Sequence, residues 1–230
     1  KCELGMKEIE LIGHKVKKGS IIPNEENVDK IRNALPPKTK KQLQSFLGMI
    51  GYYREFIPNY SKIAVPLTDL LKKGLPKQIK WNNTLEESFE KLKQCLISKP
   101  ILKLPDIRKP FVLRTDASDH SIGAILMQNE QGILKPTCFG SRKLTERENR
   151  YATSEKECLA IVWACKKFDQ FLNGNNFTLQ TDHQSLRSLE KSKLNNSRLM
   201  RWSLSLQDYN MTIEYIKGSS NVGADFLSRL

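Results

Sequence analysis

The feature that most constrains this chain is a pair of short alternating strands with the same ending. In Phe111-Val112-Leu113-Arg114-Thr115-Asp116 the apolar members fall at every second position, which places Asp116 on the face opposite Leu113 and Thr115. Phe177-Thr178-Leu179-Gln180-Thr181-Asp182 repeats the pattern and finishes on the same Thr-Asp. Between them Cys158, Ile161, Val162, Cys165, Phe168 and Leu172 recur at helical spacing, which predicts one helix from Tyr151 to Asn173. A second apolar run begins at Ser121, and Leu126 to Ser141 turns around Asn129-Glu130-Gln131-Gly132, so residues 111–141 read as three antiparallel strands. A mainly polar stretch from Gln184 to Ser197, a helix from about Arg198 to Tyr209, a strand from Met211 to Ile216 and a short helix follow. The expected order is βββαβαβα.

Four acids sit at element ends in that order: Asp116, Glu157 in the first turn of the long helix, Asp182, and Asp225 near the start of the last helix. Each has an ordinary reading. Asp116 can be a solvated strand end, Asp182 can cap a helix beginning near His183, and Asp225 can favour a helix N-terminus. Glu157, three residues after Ser154, can complete a capping box. Together they also suit a metal site, because carboxylates gathered in one place stay ionised only beside a cation and hard divalent cations take oxygen ligands.

The net charge of +13 directs attention to polyanions, nucleic acid first and an anionic membrane surface second. The excess is uneven: residues 1–110 hold 22 Lys/Arg against 12 Asp/Glu, whereas residues 111–230 hold 16 against 13. Cys2, Cys95, Cys138, Cys158 and Cys165 form no C-x-x-C pair and read as reduced thiols of an intracellular protein. No apolar run reaches membrane-spanning length. The chain starts at Lys1, and we expect it to be a fragment of a longer polyprotein.

In the basic half, a strand through Ile9 and Leu11 turns at Gly13 toward His14, Lys15 and Val16, and a second basic turn precedes Ile21 and Ile22. A short amphipathic piece spans Val28 to Leu35 and stops at Pro36-Pro37. Thr39 is placed to cap a helix running to about Phe56, with Leu43, Phe46, Leu47, Ile50 and Tyr53 as its apolar stripe. Gln44, Gly48 and Tyr52 fall four apart on another face. A glycine inside an exposed helix costs up to about 1 kcal/mol, so Gly48 marks either close packing against a neighbouring helix or the passage of a ligand near the backbone.

Thr115-Asp116-Ala117-Ser118, Glu155-Lys156-Glu157-Cys158-Leu159-Ala160-Ile161, Thr181-Asp182-His183 and the segment from Lys217-Gly218-Ser219-Ser220-Asn221 through Asp225 to Arg229 resemble, in that order, the RNase H domain of gypsy-type LTR retrotransposon Pol polyproteins. Phe46-Leu47-Gly48-Met49-Ile50-Gly51-Tyr52-Tyr53-Arg54-Glu55-Phe56-Ile57-Pro58, followed by Ala64-Val65-Pro66-Leu67-Thr68-Asp69-Leu70-Leu71, resembles the thumb of their reverse transcriptase, and the opening hairpin resembles the end of its palm. The implied architecture is α/β (α+β): residues 1–75 end the palm and form a mainly helical thumb, 76–105 are a connection segment, and 106–230 are an RNase H-like domain with a mixed five-stranded sheet and flanking helices.

The resemblance implies a ribonuclease H that cuts the RNA strand of RNA/DNA hybrids. Two Mg²⁺ ions, replaceable by Mn²⁺, would be held by Asp116, Glu157, Asp182 and Asp225, with His183 and Tyr215 as further active-site members. Gly13, His14 and Lys15 would grip the primer backbone, while Gln44, Gly48 and Tyr52 would track the minor groove of the template and primer duplex. The implied partners are that duplex, the hybrid and the upstream fingers and palm of the same polyprotein, inside the cell and not on a membrane. No Tyr-x-Asp-Asp pair occurs, so the chain is not expected to polymerise DNA by itself. The loop Gly218 to Asn221 lacks the histidine of cellular RNases H, and Gly223 and Phe226 depart from the family pattern. The rival reading is a catalytically silent or domesticated remnant that only binds nucleic acid.

Overall fold

The computed structural model describes residues 6–98, 100–182 and 197–216. Two compact units divide between Leu104 and Pro105.

In the first unit β1 (Glu8–Leu11), β2 (His14–Lys17) and β3 (Ser20–Pro23) form an antiparallel meander, and β4 (Leu102–Lys103) pairs with β3. The β1–β2 turn has Ile12 at φ 47° and Gly13 at φ 70°, the paired left-handed residues of a type I′ hairpin. Glycine tolerates that region; a β-branched isoleucine is strained in it. Helix α1 (Glu25–Arg32) starts on Asn24, whose side chain accepts from Glu26 N and Asn27 N, so it begins and ends three residues before the expected piece. Thr39 caps α2 (Lys40–Tyr52) in a full capping box with Gln42. The expected continuation to Phe56 becomes a 3₁₀ turn over Arg54–Phe56. Helices α3 (Tyr60–Asp69) and α4 (Asn83–Ile97) complete the unit. Leu43, Phe46, Leu47, Ile50 and Tyr53 are all buried, with the Phe46 and Phe89 rings 4.5 Å apart.

The second unit is built on a five-stranded sheet of order β7-β6-β5-β8-β9. Strands β5 (Phe111–Ala117), β6 (Ser121–Glu130) and β7 (Ile133–Lys143) are antiparallel, and Gln131 and Gly132 turn β6 into β7 with positive φ. Strands β8 (Phe177–Thr181) and β9 (Met211–Tyr215) run parallel to β5. After a single turn, α5 (Glu146–Asn149), the long predicted helix appears as α6 (Thr153–Lys167) and α7 (Asp169–Leu172). They are separated by Phe168, which leaves helical geometry at ψ 19° and is buried. The periodicity ran through this break because every predicted apolar member, Phe168 and Leu172 included, faces one core.

Helix α8 (Ser197–Leu206) lies beside α6. Phe111, Leu113, Ala124, Leu126, Cys158, Ile161, Cys165, Phe177 and Leu179 form the centre of the unit. Each large side chain buried there contributes about 1.5–3 kcal/mol. The mixed sheet with flanking helices is the expected architecture; its last predicted helix lies outside the described residues. Among the described residues no helix is long and apolar enough to cross a membrane.

Candidate active site and nucleic-acid interface

The β5–β8 ladder determines what can meet at the end of the sheet. Its register runs from Phe111 opposite Phe177 to Arg114 opposite Gln180, a constant separation of 66 residues. Asp116 and Asp182 keep that separation, so the register carried two residues further sets them level where the strands end. Asp116 is buried at 2 % exposure and pairs with Gly123 of β6. Asp182 is half-buried. One row further down the same face, Arg114 Nε donates to Gln180 Oε1 at 2.6 Å and Gln180 Nε2 to Glu214 Oε2 at 2.8 Å, which pins β5, β8 and β9 in register. Tyr215 pairs with Thr181 at the same sheet end.

Glu157 projects from the first turn of α6 and is 5 % exposed. It lies four residues before Ile161 and therefore on the helix face turned to the sheet core. The capping reading passes to its neighbour: Glu155 Oε2 accepts from Ala152 N at 3.1 Å, and Ala152 offers no side-chain acceptor in return. Glu155 also accepts from Arg198 Nη1 at 2.8 Å, with the Arg198 guanidinium 4.0 Å above the Tyr151 ring, so α8 is stapled to the start of α6. Asp116 Oδ2 and Glu157 Oε2 are buried atoms outside the hydrogen-bond network, although both residues interact elsewhere. No three acid, histidine or cysteine side chains among the described residues form a ready metal cage. Asp225 and His183 lie outside the described residues.

One member of this region was not singled out in the sequence. Lys156 is 6 % exposed, and its Nζ donates to Asp119 Oδ1 at 2.8 Å, tying the first turn of α6 to the β5–β6 turn just beyond Asp116. The Lys156 ammonium holds the Asp119 carboxyl below its usual range. Ser118 locks the same turn: its Oγ accepts from Ser121 N at 3.1 Å and its N–H donates to Ser121 O at 2.9 Å. The available signal was a lysine in a first helical turn, where the macrodipole disfavours a cation unless something else holds it.

In the first unit, Gln44 and Gly48 are exposed and Tyr52 is 48 % exposed along one face of α2. A Cβ built on Gly48 would meet nothing within 4 Å, so tight helix packing does not explain this glycine. Tyr52 bonds to the Ile12 carbonyl, Tyr53 Oη donates to Gly13 O at 2.6 Å, and Asn24 N donates to Gly13 O at 3.0 Å. Burial raises the Tyr53 phenol pKa, which keeps it a donor. His14 stacks on Phe56 at 5.6 Å and lies against Tyr52 and Tyr53. Lys15 points to the other face of the hairpin and is engaged, with Lys17, by Glu8. The expected trio thus divides: Gly13 and His14 join the Tyr52 end of α2, and Lys15 does not.

Residues 106–209 match the family described as the RNase H-like domain found in reverse transcriptase. This segment is an RNase H-like domain of the reverse transcriptase type. The whole chain is 45 % identical to part of the retrovirus-related Pol polyprotein from transposon 297 of Drosophila melanogaster, and 39 % identical to part of the Tf2-3 polyprotein of Schizosaccharomyces pombe. It spans 21 % and 18 % of those two polyproteins, as a segment of an LTR retrotransposon Pol protein would. Among solved structures, a foamy viral protease-reverse transcriptase in complex with double-stranded DNA superposes with TM-score 0.79 at 26 % identity, over 91 % of this chain and 38 % of that one. The foamy viral enzyme in complex with an RNA/DNA hybrid gives TM-score 0.76 at 26 % identity, over 92 % and 29 %. The RNase H-like domain therefore includes Asp116, Glu157 and Asp182, and the matched segment ends before Tyr215 and Asp225.

Proposed function

We propose that the RNase H-like domain is a metal-dependent endonuclease acting on the RNA strand of RNA/DNA hybrids, and that the basic first unit binds the template and primer duplex. The observation that carries the nuclease reading is the β5–β8 register, which, continued two residues past Arg114 and Gln180, would set buried Asp116 level with Asp182 at the sheet end where Tyr215 also lies. The donor set is oxygen-only and suits a hard divalent cation such as Mg²⁺. Asp116, Glu157, Asp182 and Asp225 would hold two such ions, which when bound supply charge neutralisation and a more acidic water.

The residues of the chain contribute positioning. Asp116 is fixed on a strand paired on both sides, Glu157 is carried by a helix packed on β5 and β6, and Lys156 clamps the β5–β6 turn to that helix. In the hydrolysis, a water oxygen bonds to phosphorus and the P–O3′ bond breaks with its electron pair on the 3′ oxygen, which takes up a proton. The products carry a 5′ phosphate and a 3′ hydroxyl. Choice of the RNA strand would rest on the 2′-hydroxyl, which DNA lacks, with Glu157 a participant.

Duplex binding is supported by the open face Gln44, Gly48 and Tyr52, by Gly13 and His14 beside it, and by the nucleic acid bound in the similar foamy viral complexes. Incubation of the chain with a labelled hybrid and Mg²⁺ tests both parts. Cleavage lost on chelation supports the nuclease. Binding without cleavage supports the remnant, and neither activity overturns both.

A further inference from the structure

The charge excess of the first unit is concentrated at one place that the face of Gln44, Gly48 and Tyr52 does not include. The segment 70–81 between α3 and α4 is strapped to the start of α2: Thr39 pairs with Gln78, Ile79 N donates to Lys38 O at 3.0 Å, and Lys40 N donates to Lys77 O at 3.0 Å. Lys40 Nζ donates to Lys72 O at 2.8 Å and Trp81 Nε1 to Pro37 O at 2.8 Å. These bonds hold the segment with Lys38, Lys40 and Lys41 beside the segment with Lys72, Lys73, Lys77 and Lys80. Asp69 is the one acid within residues 38–41 and 69–80, and its bond to Lys72 is an exposed surface pair worth at most about 1 kcal/mol. Like charges at such spacing repel, so the fold keeps them together at a cost that a polyanion would relieve.

The collar is continuous with the face already described. Lys40, Gln44, Gly48 and Tyr52 follow one another at four-residue spacing along α2 and so share one side of the helix. From Lys40 to Tyr52 the helix rises about 18 Å, or about five phosphate steps of one strand at ~3.4 Å each. The Tyr52 end meets the Ile12–Gly13 turn; the other end meets the lysines.

We propose that the segment between α3 and α4 forms, with the start of α2, a second phosphate-backbone contact for the nucleic acid lying along α2. Its working groups are the exposed Lys72, Lys73 and Lys77 together with Lys41. This inference rests on the duplex-binding reading above and adds a contact at the far end of the helix.

The test compares three chains by fluorescence anisotropy with a hybrid and a DNA duplex from 50 to 300 mM salt. They are the wild type, Lys72→Gln/Lys73→Gln/Lys77→Gln, and a control of equal charge, Lys7→Gln/Lys30→Gln/Lys91→Gln. The three loop side chains make none of the strap bonds; Lys72 and Lys77 take part only through their main-chain carbonyls, which substitution leaves in place. The loop variant is expected to flatten the slope of log affinity against log salt by about 2 to 3 and to bind at least about tenfold more weakly near 0.1 M salt. The control should stay within about twofold, and the Lys→Arg version of the loop should restore binding. A loop variant with the wild-type slope, or a control that loses as much, would overturn the contact while leaving duplex binding intact. The same three chains are also titrated with phosphatidylserine vesicles, and a loss confined to the vesicles would overturn it in favour of a membrane. No binding of the wild type to either duplex would sink the duplex reading together with the contact.

Discussion

Gly48 separates the needs of the fold from those of a ligand. The space beyond its Cα is open, so Gly48→Ala meets no steric obstacle and should stabilise the chain by about 0.5–1 kcal/mol through helix propensity. The same methyl would stand in the path of a backbone lying on Gln44 and Tyr52. A raised urea midpoint together with weaker duplex binding is the expected outcome; a variant that is both more stable and equally tight would remove Gly48 from the interface. Cys158 and Cys165 make a different case. Burial pushes both thiols up to about 12, so they should resist maleimide at pH 7.5 in the folded chain and label at once in denaturant, as core residues and not redox groups.

At the level of elements, strand alternation and helical periodicity identified β5, β8, α6 and the apolar stripe of α2, because each buries one continuous face. The ends were less legible. Helix α6 stops at Phe168 although the apolar spacing continues, since a kinked residue can keep its ring in the same core. Glu157 looked like a cap because the sequence does not distinguish it from Glu155, and only the start of α6 at Ala152 decides which acid reaches back. Lys15 and His14 are adjacent in sequence yet lie on opposite faces of one strand, which period two requires and the motif-level grouping overlooked.

The turn after β7 gives an element-scale prediction. Arg142 holds Glu148 through two bonds of 2.7 and 2.9 Å, and this pairing, opposed by some desolvation, lowers the Glu148 pKa from its usual 4.5. A depressed folded-state value means stability that is present above pH 4.5 and lost as the pH falls through the folded value. Glu148→Gln should therefore cost about 1 kcal/mol at pH 7 and progressively less below pH 4.5, measured by urea unfolding. An equal cost at pH 3 and pH 7 would show that the ion pair contributes nothing.

For the whole molecule, the order of the acidic motifs was legible in the sequence, whereas the pairing of the strands that carry two of them was not. Strand β5, which carries Asp116, and strand β8, which leads into Asp182, pair although they lie far apart in the chain, which no local pattern records. The basic first unit was legible as charge, but its arrangement as a collar needed the strap between Thr39 and Gln78. The central claim is that carboxylates at the sheet end make this chain a hybrid-specific nuclease. Cleavage of a 5′-labelled RNA/DNA hybrid in Mg²⁺ by wild type and by Asp116→Asn tests it most directly. Removing this proposed metal ligand should cost at least about 100-fold in rate, with duplex affinity retained and wild-type products ending in 3′ hydroxyls; equal cleavage by the two proteins would contradict the account.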